Sequence, residues 1–230
     1  MLSKPQRLVH AITVVTLTAL AFGSSIPAVA EDQPATPESR YEAFRDALRE
    51  GEKRRVRRQV EEDGFLSLVT SDGRTPVFAL DAADDEELVD LVLGARPDLE
   101  HRDAAGKTPL IHLAELGNAL AVARVAAAGA DVAATDPAGR TALTHAAVHG
   151  RYEAAKALVA AGAEVDVVDR NGATPLVYAC AKGFYNIPAL LLEHGADPNI
   201  RTRSGDTALV LAERRNAQRV ARLLRRHGAR

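Results

Sequence analysis

The stretch GKTPLIHLAELGN, residues 106–118, opens with Gly-x-Thr-Pro-Leu, continues as a short apolar run and stops on Gly-Asn. The same design returns 33 residues later as GRTALTHAAVHGR from position 139, then as GATPLVYACAKGF from 172 and GDTALVLAERRNA from 205. One step in the other direction gives GRTPVFALDAADD from 73. The Gly column is therefore Gly73, Gly106, Gly139, Gly172 and Gly205. Two positions on stand Thr75, Thr108, Thr141, Thr174 and Thr207, followed after a further two by Val77, Leu110, Leu143, Leu176 and Leu209. With Gly at about 7% of residues, four further matches at a fixed spacing arise by chance on the order of 2 × 10⁻⁵ of the time. The period is real.

The chemistry of one unit explains its pattern. Gly supplies the unusual backbone angles of a tight turn. Thr then caps a helix through its hydroxyl, and Pro109 or Pro175 occupies the first helical position, where a missing N–H costs nothing. Leu and Ala form an inward stripe until Gly117, Gly150 or Gly183 ends the short helix. A second helix follows, as in YEAAKALVAAGAEVD from 152 or YNIPALLLEHGADPN from 185, and it too stops at a Gly: Gly129, Gly162, Gly195 or Gly228. Such a pair is too small to hide its own apolar face, so neighbouring pairs must stack into an all-α solenoid.

These residues resemble the ankyrin repeat, with its 33-residue period and T-P-L-H-x-A signature. The resemblance covers residues 40–230, with six repeats beginning near 40, 70, 103, 136, 169 and 202. One feature departs from it. Where the signature has His after the Leu, this chain has Phe78, Ile111, Thr144, Val177 and Val210, so the hydrogen bonds of that His are missing or replaced. The first repeat, YEAFRDALREGEKRRVRRQVEEDG from 41, is degenerate, and the last, from 208, is Arg-rich. Both read as polar caps, which an open-ended stack needs for solubility.

Composition agrees. The chain has 230 residues, a formal charge of −2, no Trp and only 4% aromatics, which suits thin helices packed on small side chains and gives no global field for nucleic acid. Residues 1–30 carry Lys4 and Arg7, an apolar core and a small-residue end at SSIPAVA. That is the pattern of a secretory signal peptide, cut between Ala30 and Glu31; an uncleaved anchor is the alternative. The polar, Pro-rich 31–39 reads as a flexible leader. A lone cysteine, Cys180, allows no internal disulfide, and it falls in the column of Ala114 and Ala147, as a small buried hydrophobe.

Two charge runs face each other at one period. KRRVRR from 53 stacks on DAADDEE from 81, so that Lys53 lies over Glu86, Arg54 over Glu87 and Arg57 over Asp90. The expectation is an inter-repeat seam in which charge fixes register. The C-terminal arginines, from Arg214 to Arg230, meet no acidic run and read as a solvated cap, the alternative being a docking site for an acidic protein or the anionic membrane surface. His145 and His149 share a helical face at i, i+4, yet HAAVH lacks the Glu of an H-E-x-x-H site and no third ligand is evident. His112, one repeat away at ~10 Å, is too far to join them. No metal, cofactor or catalytic residue is expected.

By the resemblance, partners bind on a concave side made of turn tips and first helices. Read off this sequence, that side carries Arg74, Lys107 and Arg140 at the tips and Glu115, Leu116, Val148, His149, Lys182, Arg214 and Arg215 on the helices. Three basic tips beside apolar Leu116 and Val148 suit an acidic protein segment with an apolar anchor, charge setting encounter and the anchor setting lifetime. The chain is similar to the small exported ankyrin-repeat proteins of Gram-negative bacteria. That similarity implies a monomeric periplasmic interaction module with no membrane segment after cleavage and no nucleic-acid partner, serving catalase-linked peroxide defence. The alternative is an immunity protein that neutralises a secreted phospholipase or peptidoglycan hydrolase.

Overall fold

The computed structural model describes residues 36–230; the expected signal peptide and residues 31–35 of the leader lie outside them. The expected leader does not run to 39. Thr36 caps a helix by accepting from the Ser39 N–H, and Pro37 takes its first position, so α1 (Pro37–Arg49) begins inside the stretch read as leader.

Twelve helices stand in six pairs, and the described residues contain no strand, only a single bridge between Thr135 and Thr141. The first pair is α1 with α2 (Lys53–Val60). The second joins a 3₁₀ segment, Pro76–Ala82, to α3 (Glu86–Gly94). Then come α4 (Pro109–Leu116) with α5 (Ala119–Ala127), α6 (Ala142–Val148) with α7 (Tyr152–Ala160), α8 (Pro175–Lys182) with α9 (Asn186–Glu193), and α10 (Ala208–Arg214) with α11 (Gln218–Arg226). First helices pack on first helices and second on second along the stack. A further 3₁₀ turn, Phe65–Ser67, bridges the first two pairs.

The expected Thr caps form in four repeats. Thr108, Thr141, Thr174 and Thr207 each accept from the N–H three residues on, at 3.3–3.4 Å. Thr75 makes no such bond, and its buried Oγ1 has no partner. This second repeat also lacks the helix-ending Gly, having Asp84 in its place, and without either signal its first segment winds as 3₁₀ rather than α. The carbonyls this leaves open are met from the next repeat: Asn118 Nδ2 lies 3.1 Å from Leu80 O, 3.2 Å from Asp81 O and 2.9 Å from Ala83 O.

The turns use a column that the period implies but that the Gly and Thr columns overshadow. Three residues before each turn Gly stand Thr70, Asp103, Asp136, Asp169 and Thr202. Each Asp side chain accepts from N–H groups two and four residues on: Asp103 from Ala105 and Lys107, Asp136 from Ala138 and Arg140, Asp169 from Asn171 and Ala173, all at 2.8–3.0 Å. Successive turns are then joined by main chain, Ala104 N–H to Asp72 O, Arg170 to Ala138 and Arg203 to Asn171. At the remaining seam Pro137 has no N–H to give, and Arg102 spans it instead, its Nη1 donating to Gly106 O at 2.8 Å and Thr135 O at 2.7 Å. Gly73 shows why the column must be Gly. Its φ is +79°, and a Cβ there would sit 2.8 Å from Ala104 N, the atom that makes the seam bond.

The core is a stripe of small aliphatics, as the composition implies. Ala114, Ala147 and Cys180 are all fully buried in one column, and burial pushes the Cys180 thiol up to about 12. Of the residues standing for the signature His, Phe78, Ile111, Thr144 and Val177 are buried and Val210 is half-buried. Only Thr144 replaces a polar contact, pairing its hydroxyl with that of Thr141 at 3.1 Å. The N-terminal cap is polar outside and aromatic inside. Of α2 only Val56 is buried, while Tyr41, Phe44, Phe65 and Phe78 fill the interior, with the Phe44 and Phe65 rings edge to face at 5.0 Å. Each such side chain contributes roughly 1.5–3 kcal/mol of burial.

The charge seam is corrected in its partners. Lys53 reaches Asp85 at 3.1 Å and also Glu87, whereas Glu86 and Asp90 are taken by Arg124 of α5. Neither Arg54 nor Arg57 forms a salt bridge with a described residue. The acidic run thus joins three repeats rather than two. The C-terminal arginines are likewise less solitary than expected: Arg214 pairs with Asp206 at 2.9 Å, Arg225 pairs with Glu213, and Arg219 lies 4.6 Å over the Tyr185 ring. Among the described residues no helix is long and apolar enough to cross a membrane.

Candidate functional site

Turn tips and first helices form one face of the stack, and its middle is a connected row of polar side chains. Asp136 organises it. Its Oδ1 holds the turn, while Oδ2 accepts from Arg140 Nε at 3.0 Å and from His145 Nε2 at 2.9 Å. The side chains of Asp136 and His145 are only 3% and 2% exposed, so this is a paired, buried contact rather than a solvated one. Burial pushes the Asp136 carboxyl up, but hydrogen bonds from the Arg140 backbone, His145 and the Arg140 guanidinium outweigh it and hold it at about 2. A carboxylate can only accept, so His145 donates through Nε2. Burial lowers the His145 pKa against the opposing pull of Asp136.

Glu115, from the preceding repeat, completes the row. Lys107 donates to its Oε2, His149 Nε2 lies 3.6 Å from Oε1, and His145 Nδ1 lies 3.9 Å from Oε2. Burial raises the Glu115 carboxyl, but the Lys107 ammonium bonded to it brings it below its ordinary value. The His145 and His149 rings are stacked with centroids 6.2 Å apart, and His149 Nδ1 donates to His145 O at 2.9 Å.

Four of the residues expected from sequence therefore meet: Lys107, Glu115, Arg140 and His149 join through Asp136 and His145. The basic tips are not free charges. Arg74 is 3.2 Å from Asp72, Lys107 is engaged by Glu115, and Arg140 by Asp136. Leu116 stands 44% exposed at the end of α4, and Val148 is half-buried. Lys182 and Arg215 are exposed, and Arg214 folds back on Asp206. His112 stays apart from the pair, packed 5.5 Å from the Phe78 ring, with burial lowering its pKa. Asp136 was missed in the sequence although the period marks it, as the middle of three aspartates at positions 103, 136 and 169. A second such element lies one repeat on, where Tyr178 Oη donates to Asp169 Oδ2 at 2.6 Å.

A family model described as ankyrin repeats (3 copies) matches residues 77–169 and 158–230. The crystal structure of an ankyrin repeat domain from Acinetobacter baumannii AYE is similar, with a TM-score of 0.71 at 26% identity, covering 82% of this chain and 98% of that one. A search of curated proteins gives no match.

Proposed function

We propose that this chain, which belongs to the ankyrin-repeat family, is a non-catalytic protein-interaction module of the bacterial periplasm that grips an acidic segment of a partner along its turn tips and first helices. The observation that carries the reading is two hydrogen-bonded groups side by side, Lys107 with Glu115 and His145 with Asp136 and Arg140, with Leu116 exposed beside them. Side chains already held by hydrogen bonds lose little freedom when a partner docks. The apolar anchor supplies the lasting contact. With the tips paired to carboxylates, the charge that meets an acidic segment comes from Lys182 and Arg215, both exposed and outside any salt bridge among the described residues. The periplasmic address rests on the signal-peptide pattern of residues 1–30. The proposed role in catalase-linked peroxide defence rests on similarity to small exported ankyrin-repeat proteins.

Cell fractionation with N-terminal mass spectrometry tests the address; the expected mature end is Glu31. Cross-linked recovery from periplasm tests the surface, comparing wild type with Leu116→Asp/Lys182→Glu. These two side chains are exposed and form no salt bridge with a described residue, so the variant is expected to keep the fold. An unchanged set of recovered proteins overturns the surface assignment. A deletion strain is expected to be peroxide-sensitive. Growth inhibition by a secreted toxin, without peroxide sensitivity, replaces the stress role with an immunity one.

A further inference from the structure

His145 carries a buried ring nitrogen, Nδ1, with no hydrogen-bond partner, and it points at a carboxylate. One nitrogen of each ring is fixed as a donor by its surroundings. His145 gives its Nε2 proton to Asp136, and His149 gives its Nδ1 proton to the His145 carbonyl. The other ring nitrogens, His145 Nδ1 and His149 Nε2, lie 3.9 and 3.6 Å from the Glu115 carboxylate. Two imidazole nitrogens and a carboxylate converging on one spot are a donor set for a metal cation. The three donor atoms are all within 4.8 Å of one another, whereas a tetrahedral ion at ~2.1 Å from each donor places donors about 3.4 Å apart. Side-chain rotation closes that gap.

We propose that Glu115, His145 and His149 form a site for a divalent transition-metal ion, Zn²⁺ above all, lying across the seam between the third and fourth repeats. Two imidazoles and one carboxylate are a borderline-soft donor set, suited to zinc rather than to calcium or magnesium. Each imidazole is already oriented by an acceptor behind it, a carboxylate for one and a carbonyl for the other, as metal-bound histidines require. Three protein donors leave a fourth position for water or for a side chain of a docked protein. The ion competes with Lys107 for Glu115, so loading also releases a basic tip. The site stands independently of the partner reading: it exists whether or not a protein binds this face.

The test uses the full chain without a histidine tag, stripped with EDTA. Calorimetric titration with Zn²⁺ is expected to show one equivalent bound, and Co²⁺ to give the visible absorption of a tetrahedral site. Glu115→Gln and His149→Ala, both at partly exposed positions and with the fold followed by circular dichroism, are each expected to lower Zn²⁺ affinity at least about ten-fold. Lys107→Met is expected to tighten it, because the competing ammonium is gone; a purely structural cluster would show no gain. The proposal is overturned by absence of uptake and of any Tm rise at about 100 μM Zn²⁺. Binding undiminished in both Glu115→Gln and His149→Ala, or Ca²⁺ binding as tight as Zn²⁺, overturns it equally.

Discussion

Replacing Asn118 with Ala tests how the second repeat, which lacks both a Thr cap and a helix-ending Gly, is held to the rest. Asn118 acts twice. Its Oδ1 caps α5 by accepting from Ala121 N–H at 2.9 Å, and its Nδ2 serves the carbonyls of Leu80, Asp81 and Ala83. Loss of the cap costs about 1 kcal/mol. The amide has two protons for three carbonyls, so about two hydrogen bonds of roughly 1 kcal/mol each are lost with it. The sum is about 3 kcal/mol. In a repeat array stability is a sum of unit and seam contributions, so the loss falls on the seam that attaches residues 37–94. Amide exchange read by mass spectrometry is the suitable assay: α1, α2 and α3 should exchange about 100-fold faster, at 1.4 kcal/mol per factor of ten, while α8 to α11 stay unchanged. Asn118→Asp keeps the cap oxygen but sets a charge against three carbonyls, and should loosen the same region at least as much. The reasoning is refuted if Asn118→Ala behaves like an ordinary surface substitution, within about 0.5 kcal/mol, or if exchange rises evenly along the chain.

Further outcomes follow from single contacts. Gly73→Ala forces an L side chain to φ +79° and a Cβ against Ala104 N; a loss of at least about 2 kcal/mol in urea unfolding is expected, against a few tenths for Ala at Gly94, where φ is not positive and the space is open. The Asp136 carboxyl, held at about 2 against an ordinary 3.8, contributes stability that is complete above pH 4 and is lost as pH falls toward 2. Urea midpoints measured with EDTA present should drop through that window, and Asp136→Asn should abolish that part of the drop. Cys180, with its thiol raised to about 12 by burial, should resist Ellman's reagent in buffer and react at once in urea; fast reaction of the native protein would show that its column opens. Leu116→Asp should leave Tm within about 2 °C, since the leucine is exposed, and a larger fall would place it in the core instead of on a docking face.

The repeating fold was legible because its causes are local. Gly at a left-handed turn, Thr at a cap and a leucine or valine at the core face act within a few residues, so the same letters recur wherever the same backbone does. Cys180 was placed by the same logic, since a column that holds Ala114 and Ala147 admits only a small buried group. The period even contained the turn aspartates, although no single unit showed what they bind. The failures lie where one repeat meets the next. Counting by 33 put Lys53 over Glu86, yet the flexible ammonium settles on Asp85 and Glu87, and Arg124 draws Glu86 and Asp90 toward the third repeat.

The cluster at the centre of the face has the same origin. His145 and His149 were visible as a helical pair, while Glu115 stands 30 and 34 residues before them and on another helix. Sequence alone determined that two-helix units stack, how many there are and which residues face inward, because turn, cap and burial preferences belong to each unit. Only the tertiary structure decided which side chains converge across a seam, because long polar side chains reach past the position directly above them and settle by distance and charge.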